Sequence, residues 1–423
     1  MSVKSAIHDT FTKDKKEDDT EELEQESGPP DGGFRAWRTV FGCFLMQFCG
    51  FGYISSFGVY QDYYTRVYMT NYSPSAISWI GALTSFLAVI VASISGPLYD
   101  RGWFYRLMIV GSLLQSLSLF TLSFTKPGQF YLAFMVQGVV YGFGMGLTYA
   151  PSVAVVSQHF SSRKRTLVMS LATSGSPLGG IIHSIMLNHL LNGTVGFAKG
   201  VRASAGFVSA LLLLACLSMC TRELPVSTVS YTVVARKFSR DVLFILMAVG
   251  GTLFQIGYYF PLFYLQLDST KHEIDVDFSF YSLSILNAAS FIGRCTAGII
   301  AAYAGVLNFT IISAVACSAI IISMIALSDM SSVVVLGLVY GYFSGVYVAL
   351  LVPLMTVLTP DLSELGSYFR SSPAFEPIFS GGPISGALLG SQYKWWIASL
   401  FSGVSSSRCF CICASPVLKF AFS

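Results

Sequence analysis

Arg294 has the most chemistry to offer in this sequence, because it stands inside an apolar stretch, residues 279–302, that is long enough to cross a bilayer. A guanidinium within a membrane is costly and marks a functional site by default. Its planar fork can hold a carboxylate or another planar anion through two parallel hydrogen bonds. Asn287 lies seven residues earlier, on the same helical face. The competing reading is a structural arginine that bonds backbone carbonyls or reaches the interface from near a helix end. Weaker candidates are His183 and Asn188 in the stretch 166–191, the amides Gln47, Gln137 and Gln255, and the tyrosines Tyr53, Tyr149, Tyr258 and Tyr259. A lone histidine titrates near neutrality but more often satisfies one hydrogen bond in a packed helix. Amides line polar cavities or bond across helices. Tyrosines stack on planar solutes or simply pack.

Catalytic groups do not assemble. The five histidines have no metal-ligand spacing, no Gly-rich loop ends in Lys-Ser or Lys-Thr, and no cysteine is paired with a nearby base. No enzymatic activity, cofactor or metal is expected. Cys43, Cys49, Cys216, Cys220, Cys295 and Cys317 fall in apolar stretches and read as small apolar residues. Cys409, Cys411 and Cys413 alternate near the end, a pattern that acylation could use.

The elements that must carry Arg294 are membrane helices. The chain is 53% hydrophobic and 11% charged, against about 25% charged in soluble domains, and its mean hydropathy is +0.64. Of the 22 acidic residues ten lie in the first 33, against four of the 25 basic ones, which leaves 12 against 21 in the rest. Those bases are spread over the ends of many helices and form no face, which argues against nucleic acid as a partner. Ten clear spans recur at about 38–61, 76–99, 105–124, 129–157, 166–191, 201–220, 241–267, 279–302, 307–327 and 331–357, each near the roughly 20 residues a crossing needs.

Loop charges orient these spans. One side holds Arg35, Arg38, Arg101, Arg106, Arg163, Lys164, Arg165, Arg222, Arg236, Lys237, Arg240 and Arg370; the other holds Arg66, Lys126, Lys199, Lys271 and Lys394. The richer side is cytosolic by the positive-inside rule. Residues 1–37 then form a disordered acidic cytosolic tail. Asn71-Tyr72-Ser73 and Asn192-Gly193-Thr194 fall in outer loops, so Asn71 and Asn192 are glycosylation candidates.

Small residues mark where helices approach. Gly138, Gly142 and Gly146 recur at every fourth position in the fourth span, and Gly175, Gly179 and Gly180 flank Pro177 in the fifth. Such faces let helices pack closely in lipid, and Pro177 frees a backbone carbonyl inside the membrane. Either the glycines only pack, or this interrupted helix lines a cavity. The two halves also echo each other. Gly52-Tyr53 with Tyr60 and Gln61 recurs as Gly257-Tyr258 with Tyr264 and Gln266; Gly96 up to Gly102 recurs as Gly298 up to Gly305; Tyr141-Gly142 with Gly146 recurs as Tyr340-Gly341 with Gly345. The offsets of 205, 202 and 199 suggest duplicated halves of six helices. The expected division is an N-terminal bundle over 38–220, a cytosolic loop over 221–240 and a C-terminal bundle over 241–423.

Pro30-Asp31-Gly32-Gly33-Phe34 with Ala36-Trp37, and His159-Phe160, Arg163-Lys164-Arg165, Leu167, Ala172 and Ser174-Gly175, resemble the two signatures of the monocarboxylate-transporter family of the major facilitator superfamily. Ile285 to Arg294 and Thr359 to Glu364 are similar to its fungal branch, and Gly96, Asp100, Arg101 and Gly102 resemble the superfamily's loop motif. The resemblance covers about residues 29–366. It implies an all-α polytopic membrane protein of two six-helix bundles, moving a small organic solute, including anions, by alternating access. It also implies that Asp100 caps or pairs with a neighbouring helix end and lets go as the bundles rock. Proton-coupled members carry a Lys where Phe57 stands and an Asp where Ser290 stands, so Ser290 is a candidate for substrate contact or gating while proton coupling loses support. Ala302 and Tyr303 replace the Asp and Arg of the second loop motif.

The expectation is therefore a monocarboxylate-transporter-like secondary transporter in the plasma membrane, with a vacuolar or other internal membrane as the alternative. Export of a secondary metabolite, import of a riboflavin-like solute, and a non-transporting sensor or decayed paralogue are the other readings. After Gly366 only a Gly/Ser-rich stretch near 377–393 and a short run from Trp395 to Val404 remain to form two further spans. A wrongly spliced or decayed coding end fits this best, with a genuinely unusual ending as the alternative.

Overall fold

Long apolar runs must satisfy their backbone groups within one segment, and helices do so. The computed structural model describes residues 32–160, 162–221, 242–271, 275–358, 381–390 and 394–407. All regular structure within them is helical. In chain order the helices are α1 (Phe34–Tyr68), α2 (Pro74–Asp100), α3 (Phe104–Leu122), α4 (Phe130–Ser157), α5a (Ser162–Thr173), α5b (Gly175–Asn192), α6 (Phe197–Ser218), α7 (Val242–Lys271), α8 (Val276–Ala304), α9 (Val306–Ser323), α10 (Met330–Leu358), α11 (Gly381–Leu389) and α12 (residues 395–407). Eight of them, α1 to α4, α6 and α8 to α10, are long and apolar enough to cross a membrane. The expected fifth span is broken at Ser174 into α5a and α5b. At 1.5 Å per residue the described parts of α11 and α12 measure about 14 and 20 Å. The tail before Gly32, the segment 222–241, Thr359 to Glu364, Arg370, Cys409, Cys411, Cys413 and the side chain of Asp100 lie outside the described residues.

The glycine faces find specific neighbours. α4 presents Gly142 and Gly146 to α2, where a Cβ would stand 2.7 Å from the Thr84 carbonyl and 2.8 Å from that of Ala88. α10 presents Gly341 and Gly345 to α8, leaving no room for a Cβ against Leu286 and Ser290. The equivalent tyrosines tie equivalent helices: Tyr141 donates to the Cys49 carbonyl of α1 at 2.6 Å, and Tyr340 donates to the Tyr258 carbonyl of α7 at 2.7 Å. Gly102 and Gly305 both turn the chain at positive φ, 83° and 81°. The repeat in the sequence is thus a repeat of packing, α4 on α2 and α1 in one half, α10 on α8 and α7 in the other.

Helix ends are closed by side chains. Arg38 donates from Nε to the Ser218 carbonyl at 3.1 Å, meeting an acceptor that the end of α6 cannot satisfy itself. α1 and α4 each contain a π-helical stretch, Tyr64–Tyr68 and Phe134–Val140, and Tyr64 donates to Gln137 Oε1 between them at 2.9 Å. Outward, α3 and α6 expose Leu113, Leu117, Leu213 and Leu217, a surface suited to acyl chains.

Candidate functional site

The site begins with a missing donor. In an α-helix the amide of residue 177 would bond the carbonyl of residue 173, but Pro177 has no N–H. The Thr173 carbonyl is therefore left over at the junction of α5a and α5b. Arg294 of α8 supplies the donor: its Nη1 reaches the Thr173 carbonyl at 2.9 Å. The carbonyl freed in one half is bonded by the intramembrane cation of the other.

That bond uses only part of the guanidinium. Arg294 is 6% exposed, and its Nε is buried with no hydrogen-bond partner. Tyr258 of α7 brings its hydroxyl to the guanidinium, and Tyr149 of α4 and Tyr259 of α7 lie within electrostatic range. Tyr149 is braced edge-on by Phe51 at 4.8 Å, and Tyr258 edge-on by Tyr259 at 5.1 Å. One turn before Tyr259, the Gln255 Oε1 is also buried and unpartnered. The cluster draws on both halves: α4 and α5 from the first, α7 and α8 from the second. A buried cation with an unfilled donor, walled by aromatic rings, can take a planar oxyanion and stack what is attached to it.

The other candidates divide. Asn287 stands where α5b crosses α8, donating to the Leu283 carbonyl at 2.8 Å, and a Cβ on Gly180 would fall 2.5 Å from its Oδ1. It shares the α8 face of Arg294. Ser290 instead packs against Gly345 in the α8–α10 contact. Tyr53 and His183 face each other inside the first half, with ring centroids 5.1 Å apart. Tyr53 shares its hydroxyl with Tyr60 at 2.6 Å. His183 is fully buried between Phe48, Tyr53 and Phe207, with only a weak backbone contact to Phe48. Residue type had made both candidates for the cavity; in the structure Tyr53, on α1, and His183, on α5b, pack against each other. In the loop motif Gly102 makes the turn after α2, Arg101 is exposed and Gly96 has open space beside it. Asn71 and Asn192 are both exposed at helix ends on the Arg66 side. No cluster of metal-ligand residues occurs among the described residues.

Arg294 is not the only charged residue buried within the helices. Asp62 and Asp268 are fully buried too. The first span was expected to stop at residue 61, but α1 continues to Tyr68 and carries Asp62 inside. The pair Asp62 and Arg66, spaced i and i+4, was the signal available in the sequence.

The family profile described as Major Facilitator Superfamily matches residues 39–369. The chain is similar to the aspyridones efflux protein of Emericella nidulans, 32% identical over 385 residues that cover 89% of this chain and 77% of that protein. It is similar to an MFS-type transporter of Aspergillus terreus, 36% identical over 303 residues, 71% of this chain and 98% of that one. It also resembles the fujikurins efflux protein of Gibberella fujikuroi, 32% identical over 390 residues, 90% of this chain and 82% of the other.

Proposed function

This chain belongs to the major facilitator superfamily, and on that premise we propose that it exports a small organic anion of the secondary-metabolite class. It is an integral membrane protein whose membrane we take to be the plasma membrane. Two of the relatives described above are named for efflux, which favours export of a secondary metabolite over the monocarboxylate-like transport, of no stated direction, that the signatures alone implied. The observation that carries the reading is the unfilled, buried Arg294 Nε between tyrosines of both halves. A site with one cation and several aromatic walls suits a conjugated acid better than a short aliphatic one. Alternating access would separate α5 from α8 and so expose Arg294 to one side at a time.

A monocarboxylate reading keeps one support, since a single arginine also suits a bare carboxylate. The two separate in inverted membrane vesicles from cells expressing the chain. Labelled aromatic acids and enols should accumulate saturably, and lactate-sized acids should compete poorly. Saturable uptake confined to short monocarboxylates would overturn the efflux assignment; no uptake of any of these solutes, with the protein present in the vesicles, would overturn transport of organic anions.

A further inference from the structure

At the end of the molecule opposite Arg38 the two halves are joined by a buried polar chain centred on Asp62. Arg66, one turn on, binds the Asp62 carboxylate with both arms, Nε to Oδ1 at 2.6 Å and Nη2 to Oδ2 at 2.5 Å. Across the halves, Gln266 of α7 donates to Asp62 Oδ2 at 3.2 Å. The same amide exchanges bonds with Asn188 of α5b, Nε2 to Oδ1 at 3.0 Å and Nδ2 to Oε1 at 3.4 Å. Asp62 and Gln266 are fully buried and Asn188 nearly so. A second joint lies beside it. The Pro74 carbonyl at the start of α2 accepts from Gln61 of α1 at 3.0 Å and from Tyr264 of α7 at 3.4 Å. One turn inward, Gly58 lets α1 approach α7 so closely that a Cβ would stand 2.6 Å from the Leu262 carbonyl.

We propose that the Asp62 carboxylate, gripped across the halves by Gln266, is the latch that keeps this mouth of the transporter closed and that Gln266 must leave it each time the mouth opens. The inference rests on the alternating-access reading given above. A buried amide that bridges two moving bodies is a switch rather than glue when one body can satisfy its own polar atoms alone. Arg66 does this for Asp62 with two charge-assisted bonds on the same helix. Asn192 does it for Asn188 over one turn of α5b, at 3.5 Å. Gln266 would face water in the open mouth. The first half therefore keeps its buried carboxylate compensated in either state, and opening breaks only neutral-donor bonds.

The test needs no solute. Leu262→Cys places a thiol under the latch, and a membrane-impermeant maleimide applied to intact cells reads how often the mouth opens, with the parent chain giving the background. Gln266→Glu sets two carboxylates against each other and should raise the labelling rate about tenfold, the size expected for losing one hydrogen bond to a charged acceptor. Gln266→Leu should raise it less. Adding Asp62→Asn to Gln266→Glu restores a donor facing an acceptor with the polarity exchanged, and should return labelling toward the parent rate. Asp62→Asn should not reverse the effect of Gln266→Leu. The latch is overturned if, at equal surface abundance, neither Gln266 variant raises labelling, or if Asp62→Asn fails to reverse Gln266→Glu. Should Gln266→Glu not reach the surface, Gln266→Leu decides alone, and an unchanged rate overturns the proposal.

Discussion

Arg294 Nη1 donates to the carbonyl of Thr173 at 2.9 Å, so the buried cation of one half is held by a backbone acceptor of the other. A carbonyl stabilises the charge only in part, because it is a dipole and not a counter-ion. The unpartnered Nε is what remains for a solute. Arg294→Lys keeps the charge but loses the planar fork. It should reach the membrane in normal amounts and carry an anionic solute about tenfold more slowly, in line with losing a hydrogen bond to a charged group. Arg294→Gln should do no better. Vesicle transport normalised to surface abundance checks this; normal rates in both variants would make Arg294 a packing residue, and failure of both to reach the membrane would make it structural.

Pro177 is the cause of that acceptor, and its replacement separates stability from transport. Alanine at 177 supplies the N–H that the Thr173 carbonyl lacks, closing the helix across Ser174. Pro177 stands in the first turn of α5b, where proline costs less than in a helix interior, and the added hydrogen bond of Pro177→Ala should raise the melting temperature of the purified protein. The same change gives Arg294 a competitor for its carbonyl and straightens α5 at the crossing with α8. Transport should therefore fall while stability rises. A variant that is no more stable, or that transports as fast as the parent, would show that the Thr173 carbonyl is not held by this exchange.

Much of this was legible in the residues, and the rest was hidden for definite reasons. Pro177 announces a freed carbonyl from its chemistry alone, but Arg294 is 121 positions away along the chain, and only the packing of α5 on α8 joins them. The four-residue spacing of Gly138, Gly142 and Gly146 specifies a close-approach face without saying that α2 fills it. His183 and Tyr53 look like cavity residues by type. That they meet each other depends on how α1 and α6 pack on α5b, which sets Tyr53 of α1 and Phe207 of α6 against the His183 ring. Asp62 was hidden by its own charge, since an acid and a base one turn apart lower local hydropathy and resemble the end of a span.

Orientation follows from charge and can be checked without a substrate. Lys164, exposed at the start of α5a, and Arg38 lie at one end of the helices, while Asp275 before α8 is exposed at the other. Membrane passage of three clustered cations is disfavoured, so a tag after Ser162 should be protected from impermeant reagents in intact cells. A tag at Asp275 should react. Reaction of both, or of neither, would break this assignment of sides, which puts the Asp62 mouth, opposite Arg38, on the outer face.

Energy coupling is the remaining question, and the α1–α7 contact bears on it. Proton-coupled relatives of the resembled family place a lysine where Phe57 stands and an aspartate where Ser290 stands. Here Phe57 is buried edge-on against Phe263 of α7 at 5.1 Å, and Ser290 lies in the α8–α10 contact. Neither position can take up a proton near Arg294. Movement of the solute should therefore follow its own gradient, and a protonophore should leave the initial rate unchanged in vesicles whose solute gradient is held fixed. Collapse of transport under those conditions would contradict this. The group to test next would then be Asp62, because it is a carboxylate joined to both halves, and not His183, which is enclosed by three aromatic rings within one half. Asp62→Asn would abolish the proton dependence in that case, while in a uniporter it would change only the opening of the mouth.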